Sequence, residues 1–339
     1  MNQIKKLAIV KLSAMGDIIH AMVALQYIKK NYPNILIDWF VEESFSQVLQ
    51  NNPHINNIYS VNLKSIKKNK LEIFNQIKLI KNYSKNNYDL VIDAQGLIKS
   101  AIVSRLLGKS VSGFDKNSIR EKSASLFYNK KVSIPYDENT IDRNVKVISS
   151  PLDFEITSKM ILEKEPFLFY KDENEIIYKY LSNDNKNILF IIGASWQSKM
   201  YSKEKFAKIA NNINENCLIV WGSEEEKKIA QYIESHSCAK IMPKLNLNDL
   251  KALIKHSHLI VGNDTGPTHM AWALNVPSIT LFGNTPGYRN TYETKINKII
   301  ESNSKVDPYN LNKKDFSIKD IDEKYIVKVV KEILYEEKN

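Results

Sequence analysis

Short apolar runs alternate with amphipathic stretches along almost the whole chain. In the first half the runs are Leu7 to Val10, Ile35 to Val41, Ile58 to Val61 and Leu90 to Asp93. In the second they are Ile188 to Ile192, Leu218 to Trp221, Leu259 to Val261 and Ser278 to Phe282. Such runs read as buried strands, and the helical period between them reads as covering helices: after the first run, Ile18, Ile19, Met22, Leu25 and Ile28 recur at that spacing. The alternation predicts an α/β fold of parallel sheets with helices on both faces, built twice. Its rhythm weakens between residues 150 and 187, around Pro151, Pro166 and the charged stretch YKDENEIIYKY. The boundary is expected near residue 172, giving domains 1–172 and 173–339. The last segment, Ile318 to Leu334, reads as a capped helix with Asp320 and Asp322 in its first turn, a helix that could pack back on the amino-terminal domain.

Composition narrows the class without changing that picture. With 339 residues, 43% hydrophobic and 25% charged, the chain has the profile of a globular protein of about two domains. No apolar run approaches the ~18 residues that span a bilayer. The first run stops at Lys11 with Asp17 soon after, unlike a signal peptide, so the cytoplasm is the expected location. Two cysteines, Cys217 and Cys238, are too few for a disulfide framework. His256 and His258 flank Ser257 with no Cys or carboxylate cluster nearby, so no metal site is expected there. A formal net charge of +10 points to an acidic partner, although lysine is abundant throughout. Nucleic acid is not expected, because no recognition module or aromatic-basic interleaving is present. Only four of the 48 basic residues are arginine, Arg105, Arg120, Arg143 and Arg289, and each is a candidate fork for carboxylate or phosphate.

In open α/β sheets ligands gather beyond the carboxyl ends of the strands, so the loops there carry the search for chemistry. A G-x-G-x-x-G fingerprint is absent, and Gly108 and Gly113 are followed by Phe114 and Asp115 where a phosphate loop needs Lys and Ser or Thr. The loop VGNDTGPTHMAWAL, residues 261 to 274, is the best remaining candidate. Gly266 lets a ligand approach backbone N–H groups at a helix start, and Asp264 and Thr265 stand at the turn, either as ligands of a sugar diphosphate or as caps. GASWQSKMYSKEKF places Ser195 and Lys199 after another strand, where hydroxyl and ammonium could meet phosphate; Lys199 could equally be a surface lysine. VWGSEEEKKI puts Glu224 where a carboxylate can take ribose hydroxyls, or where it serves only as helix N-terminal charge. At the first strand-helix turn, KLSAMGDIIH offers Ser13, Gly16 and Asp17, a cap or a catalytic carboxylate.

Together, Asp264-Thr265-Gly266 with His269, the Ser195 to Lys199 loop, Trp221-Gly222-Ser223-Glu224 and Gly16-Asp17 resemble the ADP-heptose glycosyltransferases of lipopolysaccharide inner-core synthesis. The resemblance spans nearly the whole chain in the same order. It implies a glycosyltransferase B fold, two Rossmann-like domains facing an interdomain cleft, with an acceptor domain first and a donor domain second. It also implies inverting transfer of L-glycero-D-manno-heptose from ADP-heptose to the 3-deoxy-octulosonic acid of lipid A. Asp17 then stands as general base, Ser195 and Lys199 as diphosphate contacts, and Glu224 as ribose ligand. Asp264 takes heptose hydroxyls, Thr265 and Gly266 sit at the phosphates beside His269, and the stretch around Met242 packs on adenine. Ser13, Gly16, Lys64, Lys67, Arg120 and Arg143 are the candidate acceptor contacts. The only Asp-x-Asp pair is Asp320 and Asp322, so no metal cofactor is expected. An acceptor held in the membrane implies peripheral attachment of a basic face to the anionic cytoplasmic surface of the inner membrane, without insertion. The alternatives are an ADP-heptose transferase with another acceptor, and a non-catalytic nucleotide-sugar or lipopolysaccharide binder.

Overall fold

A computed structural model describes residues 4–335. The chain divides into two units, before and after the Phe167–Leu168 bond. The first contains β1 (Lys6–Val10), α1 (Met15–Met22), α2 (Ala24–Asn31), β2 (Leu36–Glu42), β3 (Asn57–Val61), α3 (Ser65–Lys68), α4 (Glu72–Tyr83), β4 (Leu90–Asp93), α5 (Ile98–Leu107), β5 (Val111–Phe114), β6 (Lys130–Val132), α6 (Thr140–Ser149) and α7 (Ser158–Leu162). Its six strands are parallel in the order 3-2-1-4-5-6. β1 is central, and Leu7, Ala8, Ile9 and Val10 are all fully buried, which is why its sequence shows no polar alternation. Right-handed crossovers put α1 and α2 on one face of the sheet, where they pack with α6. The same rule puts α4, α5 and the 3₁₀ segment Lys122–Phe127 side by side on the other face.

The second unit repeats this plan with β7 (Asn187–Ile191), α8 (Lys203–Ile213), β8 (Asn216–Val220), α9 (Glu224–Ser235), β9 (Lys240–Ile241), α10 (Leu247–Lys255), β10 (Leu259–Asn263), α11 (Gly266–Ala273), β11 (Ser278–Phe282), α12 (Gly287–Asn290), β12 (Asn297–Glu301) and α13 (Glu323–Tyr335). The order β12-β11-β10-β7-β8-β9 is the first unit's order once its strands are counted from β7. Phe190 from the sheet and Phe206 from α8 pack with ring centroids 5.4 Å apart at the centre of its core.

The last helix differs from expectation at its start. It begins at Glu323 rather than near Ile318, because residues Ser317–Asp320 form a separate 3₁₀ turn and Asp322 caps the start by accepting the Lys324 N–H at 2.9 Å. Its apolar side, Ile326, Val329 and Val330, lies in the core of the second unit beside α8, and Lys205 and Lys208 pair with Glu323. Within its own unit, that packing buries the helix's apolar side. No helix among the described residues is long and apolar enough to cross a membrane.

Candidate functional site

In the second unit the chain runs from β7 outward through β8 and β9, then returns to build β10, β11 and β12 on the other side. The crevice of an open sheet lies where that reversal separates two neighbouring strand ends, here β7 and β10. The loops leaving those ends carry Lys199 and Asp264, and the structure joins them: Lys199 Nζ lies 2.5 Å from Asp264 Oδ2. His269 Nε2 is 3.0 Å from Oδ1, while Thr285 Oγ1 and Asn290 Nδ2 donate to Oδ2 at 2.8 and 3.3 Å. Asp264 is 4% exposed and Lys199 7%. Neither is a surface charge, and Asp264 is not a helix cap.

Burial alone would favour the protonated carboxyl, but the ammonium of Lys199 and the His269 contact outweigh it and hold Asp264 well below the usual carboxylate range. The unfolded chain protonates this side chain near its ordinary pKa of about 3.9, and the folded chain only at lower pH. Below about pH 4 the unfolded state therefore binds more protons, and stability falls. Urea unfolding followed from about pH 5 to about pH 3 should show a loss from this group of up to about 1.4 kcal/mol per pH unit. Asp264→Asn should remove that share of the slope; an unchanged slope would mean the pair does not set it.

The surrounding backbone supplies what the side chains do not. Thr265 is the N-cap of α11 in extended conformation, half-buried and without a capping side-chain bond, and Gly266 is the first helical residue. The first N–H groups of such a helix have no intrahelical acceptor and point out of the end where Gly266 lies. Asn263, unread in the sequence, is fully buried; its Nδ2 donates to Ile192 O at 2.7 Å and its Oδ1 accepts the Tyr201 N–H at 3.0 Å. Gly262 is required for space: a Cβ there would stand 2.6 Å from Ile191 Cβ and from Thr268 Oγ1. Gly262→Ala is expected to cost about 1–3 kcal/mol, read as a lower urea midpoint.

Ser195 is exposed on the same loop. Its neighbour Trp196 has Lys199 and Lys313 ammonium groups 5.0 and 4.8 Å from its ring centroid. The three glutamates of the next loop separate into different roles. Glu226 is tied down, its Oε2 accepting the Gly222 N–H at 2.7 Å and its N–H meeting Ser223 Oγ at 3.2 Å. Glu224 stays exposed in the first turn of α9. Met242 is buried after β9, and its carbonyl accepts Trp221 Nε1 at 2.8 Å. Residues Thr285 and Asn290 were also missed, although GNTPG, residues 283 to 287, follows β11 with the same mix of glycine, polar residues and proline as the loop after β10.

In the first unit the reversal lies between β1 and β4. Gln95, from the β4 exit, accepts the N–H groups of Leu12 and Ser13 with Oε1 at 3.1 and 3.0 Å, holding the β1 exit loop. Lys11 is buried and donates to Ala94 O and Asn144 Oδ1. Ser13 does not cap α1; the N-cap is Ala14, whose N–H is accepted by Asp17 Oδ2 at 3.3 Å. Asp17 and Gly16 are half-buried in the first turn. Asp17 therefore contributes to the helix start through one oxygen and keeps a partly exposed carboxylate. Lys64, Lys67 and Arg120 are exposed. Arg143, by contrast, is 6% exposed, donates to the carbonyls of Ile134, Pro135 and Ser118, and sets its guanidinium over the rings of Phe114 and Tyr136. A fork so engaged holds the turn before α6.

Residues 76–324 match Glycosyltransferase family 9 (heptosyltransferase). The chain is 42% identical over 347 aligned positions to lipopolysaccharide heptosyltransferase 1 of Campylobacter coli, covering 98% of this chain and 100% of that one. It is 28% identical over 308 positions to lipopolysaccharide heptosyltransferase 1 of Pseudomonas aeruginosa, covering 85% and 81%. In three dimensions it is similar to the Escherichia coli heptosyltransferase WaaC solved with ADP-2-deoxy-2-fluoro heptose, with a TM-score of 0.76 and 23% identity over 96% of this chain and 99% of that one. That likeness identifies the two six-stranded units as the glycosyltransferase B fold.

Proposed function

The chain belongs to glycosyltransferase family 9, the heptosyltransferases, and from that premise we propose that it transfers L-glycero-D-manno-heptose from ADP-heptose to the 3-deoxy-octulosonic acid of lipid A, with inversion. The identity to a heptosyltransferase 1 over the full length supports this acceptor. The observation that carries the reading is the buried Lys199–Asp264 pair at the sheet reversal, beside the start of α11.

A lysine ammonium has three donors. Asp264 engages one and fixes the direction of the others, so Lys199 is a preorganised partner for the diphosphate. With the N–H groups of α11 it stabilises the charge that develops on departing ADP, an effect worth about 3–4 kcal/mol per well-placed donor. Ser195 adds a hydroxyl to the phosphates, Glu224 takes the ribose, and the segment at Met242 and Trp221 lies along the adenine. Asp264 takes the heptose hydroxyls, and Thr265 and Gly266 sit at the phosphates beside His269.

In an inverting transfer the acceptor hydroxyl attacks the anomeric carbon opposite the leaving ADP, through a transition state with oxocarbenium character. Asp17 is the base for that hydroxyl. A carboxylate is a weak base, so Asp17 takes the proton late, as the new bond makes the hydroxyl acidic. The enzyme works as a peripheral protein on the cytoplasmic face of the inner membrane, where this acceptor is carried.

Incubation with ADP-heptose and lipid A bearing 3-deoxy-octulosonic acid should yield the heptosylated lipid. Absence of product, with transfer to an already heptosylated acceptor, would reassign the acceptor. Because Lys199 and helix dipoles supply the positive charge, a chelator should leave the rate within about twofold; loss restored by one divalent ion would overturn that role.

A further inference from the structure

The sheet topology of the first unit places α4, α5 and the segment Lys122–Phe127 in one layer, with a common outward face. That face is unusually apolar. Leu71 and Phe74 are 69% and 68% exposed, Ile98 and Ile102 stand one turn apart on the outside of α5, and Leu126 is 80% exposed. The opposite side of α4 is accounted for, since Gln76 and Ile80 are buried against the fold. Nothing in the unit requires Leu71 and Phe74 to be apolar, and isolated exposed apolar residues do not normally gather on adjoining elements.

The rim of this face is basic. Lys70 precedes Leu71, Lys78 lies one turn beyond Phe74, and Lys67, Lys99, Arg105 and Lys122 are all exposed on the same elements or their ends. Of the acidic side chains on these elements, Glu121 Oε2 accepts the Ile98 N–H at 2.7 Å and Glu72 Oε2 accepts from Asn75 Nδ2 at 3.3 Å. An apolar centre within a lysine border matches the cross-section of an anionic bilayer surface, with acyl-chain carbon below and phosphate at the level of the ammonium groups. A second copy of the chain would instead bring two like-charged rims together.

We propose that the outer face of the α4–α5 layer docks on anionic membrane, with Leu71, Phe74, Ile98, Ile102 and Leu126 entering the headgroup region. This deepens the reading of a lipid-borne acceptor and rests on it for its purpose. It also replaces purely electrostatic attachment, the expectation from sequence, by attachment with shallow insertion.

Full-length protein is sedimented with vesicles of phosphatidylcholine alone or mixed with phosphatidylglycerol. Wild type should bind the anionic vesicles and not the neutral ones. The double variant Leu71→Ser/Phe74→Ser should bind them at least about tenfold more weakly, with thermal midpoint unchanged and with unaltered transfer to a deacylated, water-soluble acceptor. That transfer assay separates failure of docking from failure of the proposed reaction. Phe74→Trp gives a second readout that keeps the side chain apolar: brominated lipid should quench its added fluorescence beyond that of the four native tryptophans. Wild type that ignores anionic vesicles, a double variant that binds as well as wild type, an unquenched Trp, or a concentration-dependent dimer abolished by the double variant would each overturn the proposal.

Discussion

Asp264→Ala is expected to destabilise the protein by about 3–5 kcal/mol and to reduce heptosyl transfer below detection. The stability loss follows from burial. Removing the carboxylate leaves the Lys199 ammonium almost wholly inside the protein without its counter-ion, and strands the Thr285 hydroxyl and the Asn290 amide that donated to the same oxygen. Lys199→Met should cost less, because it removes the charge that most needs a partner while Asp264 retains its His269, Thr285 and Asn290 contacts. The double variant should therefore be more stable than the sum of the single losses, a coupling of about 1–3 kcal/mol in a double-mutant cycle by urea denaturation. The two single variants should both lose catalysis, since each dismantles the same proposed diphosphate contact. Additive stability losses, or an Asp264→Ala protein that still turns over, would remove the pair from the centre of the mechanism.

Asp17→Asn should lower kcat by about 10²–10⁴-fold while leaving the KM for ADP-heptose and the thermal midpoint nearly unchanged. The isosteric amide is chosen because Asp17 has a structural contact as well: its Oδ2 accepts the Ala14 N–H at the start of α1. Asparagine preserves an acceptor oxygen and a good helix start, and loses only the ability to take a proton. Asp17→Ala, by contrast, removes both and should cost up to about 1 kcal/mol in addition to the rate. If the asparagine variant kept activity within tenfold of wild type, Asp17 would be a helix-start residue and the base would have to be sought elsewhere.

The helix-start contact of Asp17, beside its proposed role as base, shows wiring that the sequence does not disclose. The eight apolar runs all became strands; seven are buried along nearly their whole length and carry an uninterrupted signal, while β3, at the sheet edge, is mostly half-buried. The four strands that were missed are β5, β6, β9 and β12. β5 is interrupted by Ser112 and Gly113, β6 and β12 carry exposed or half-exposed lysines, and β9 is only Lys240–Ile241. Sheet position, not periodicity, makes them strands. The loop after β10 was legible because glycine, acid and proline follow a strong strand at once. Its partners Thr285 and Asn290 come from 20 or so residues downstream, and no local pattern ties them to Asp264. Arg143 was harder to read: in a chain so poor in arginine it looked reserved for a ligand, and no local pattern shows that its guanidinium donates to three backbone carbonyls.

Asn263 has one further consequence. By gripping both the exit of β7 and the Tyr201 amide, it rivets the stretch that bears Lys199 to the end of β10, next to Asp264. In the proposed reaction, when the pyrophosphate bond to the sugar lengthens and charge migrates onto its oxygen, the ammonium would not need to swing to follow. The reorganisation that water would require has been carried out in advance by folding, so the barrier is lowered by stiffness rather than by movement.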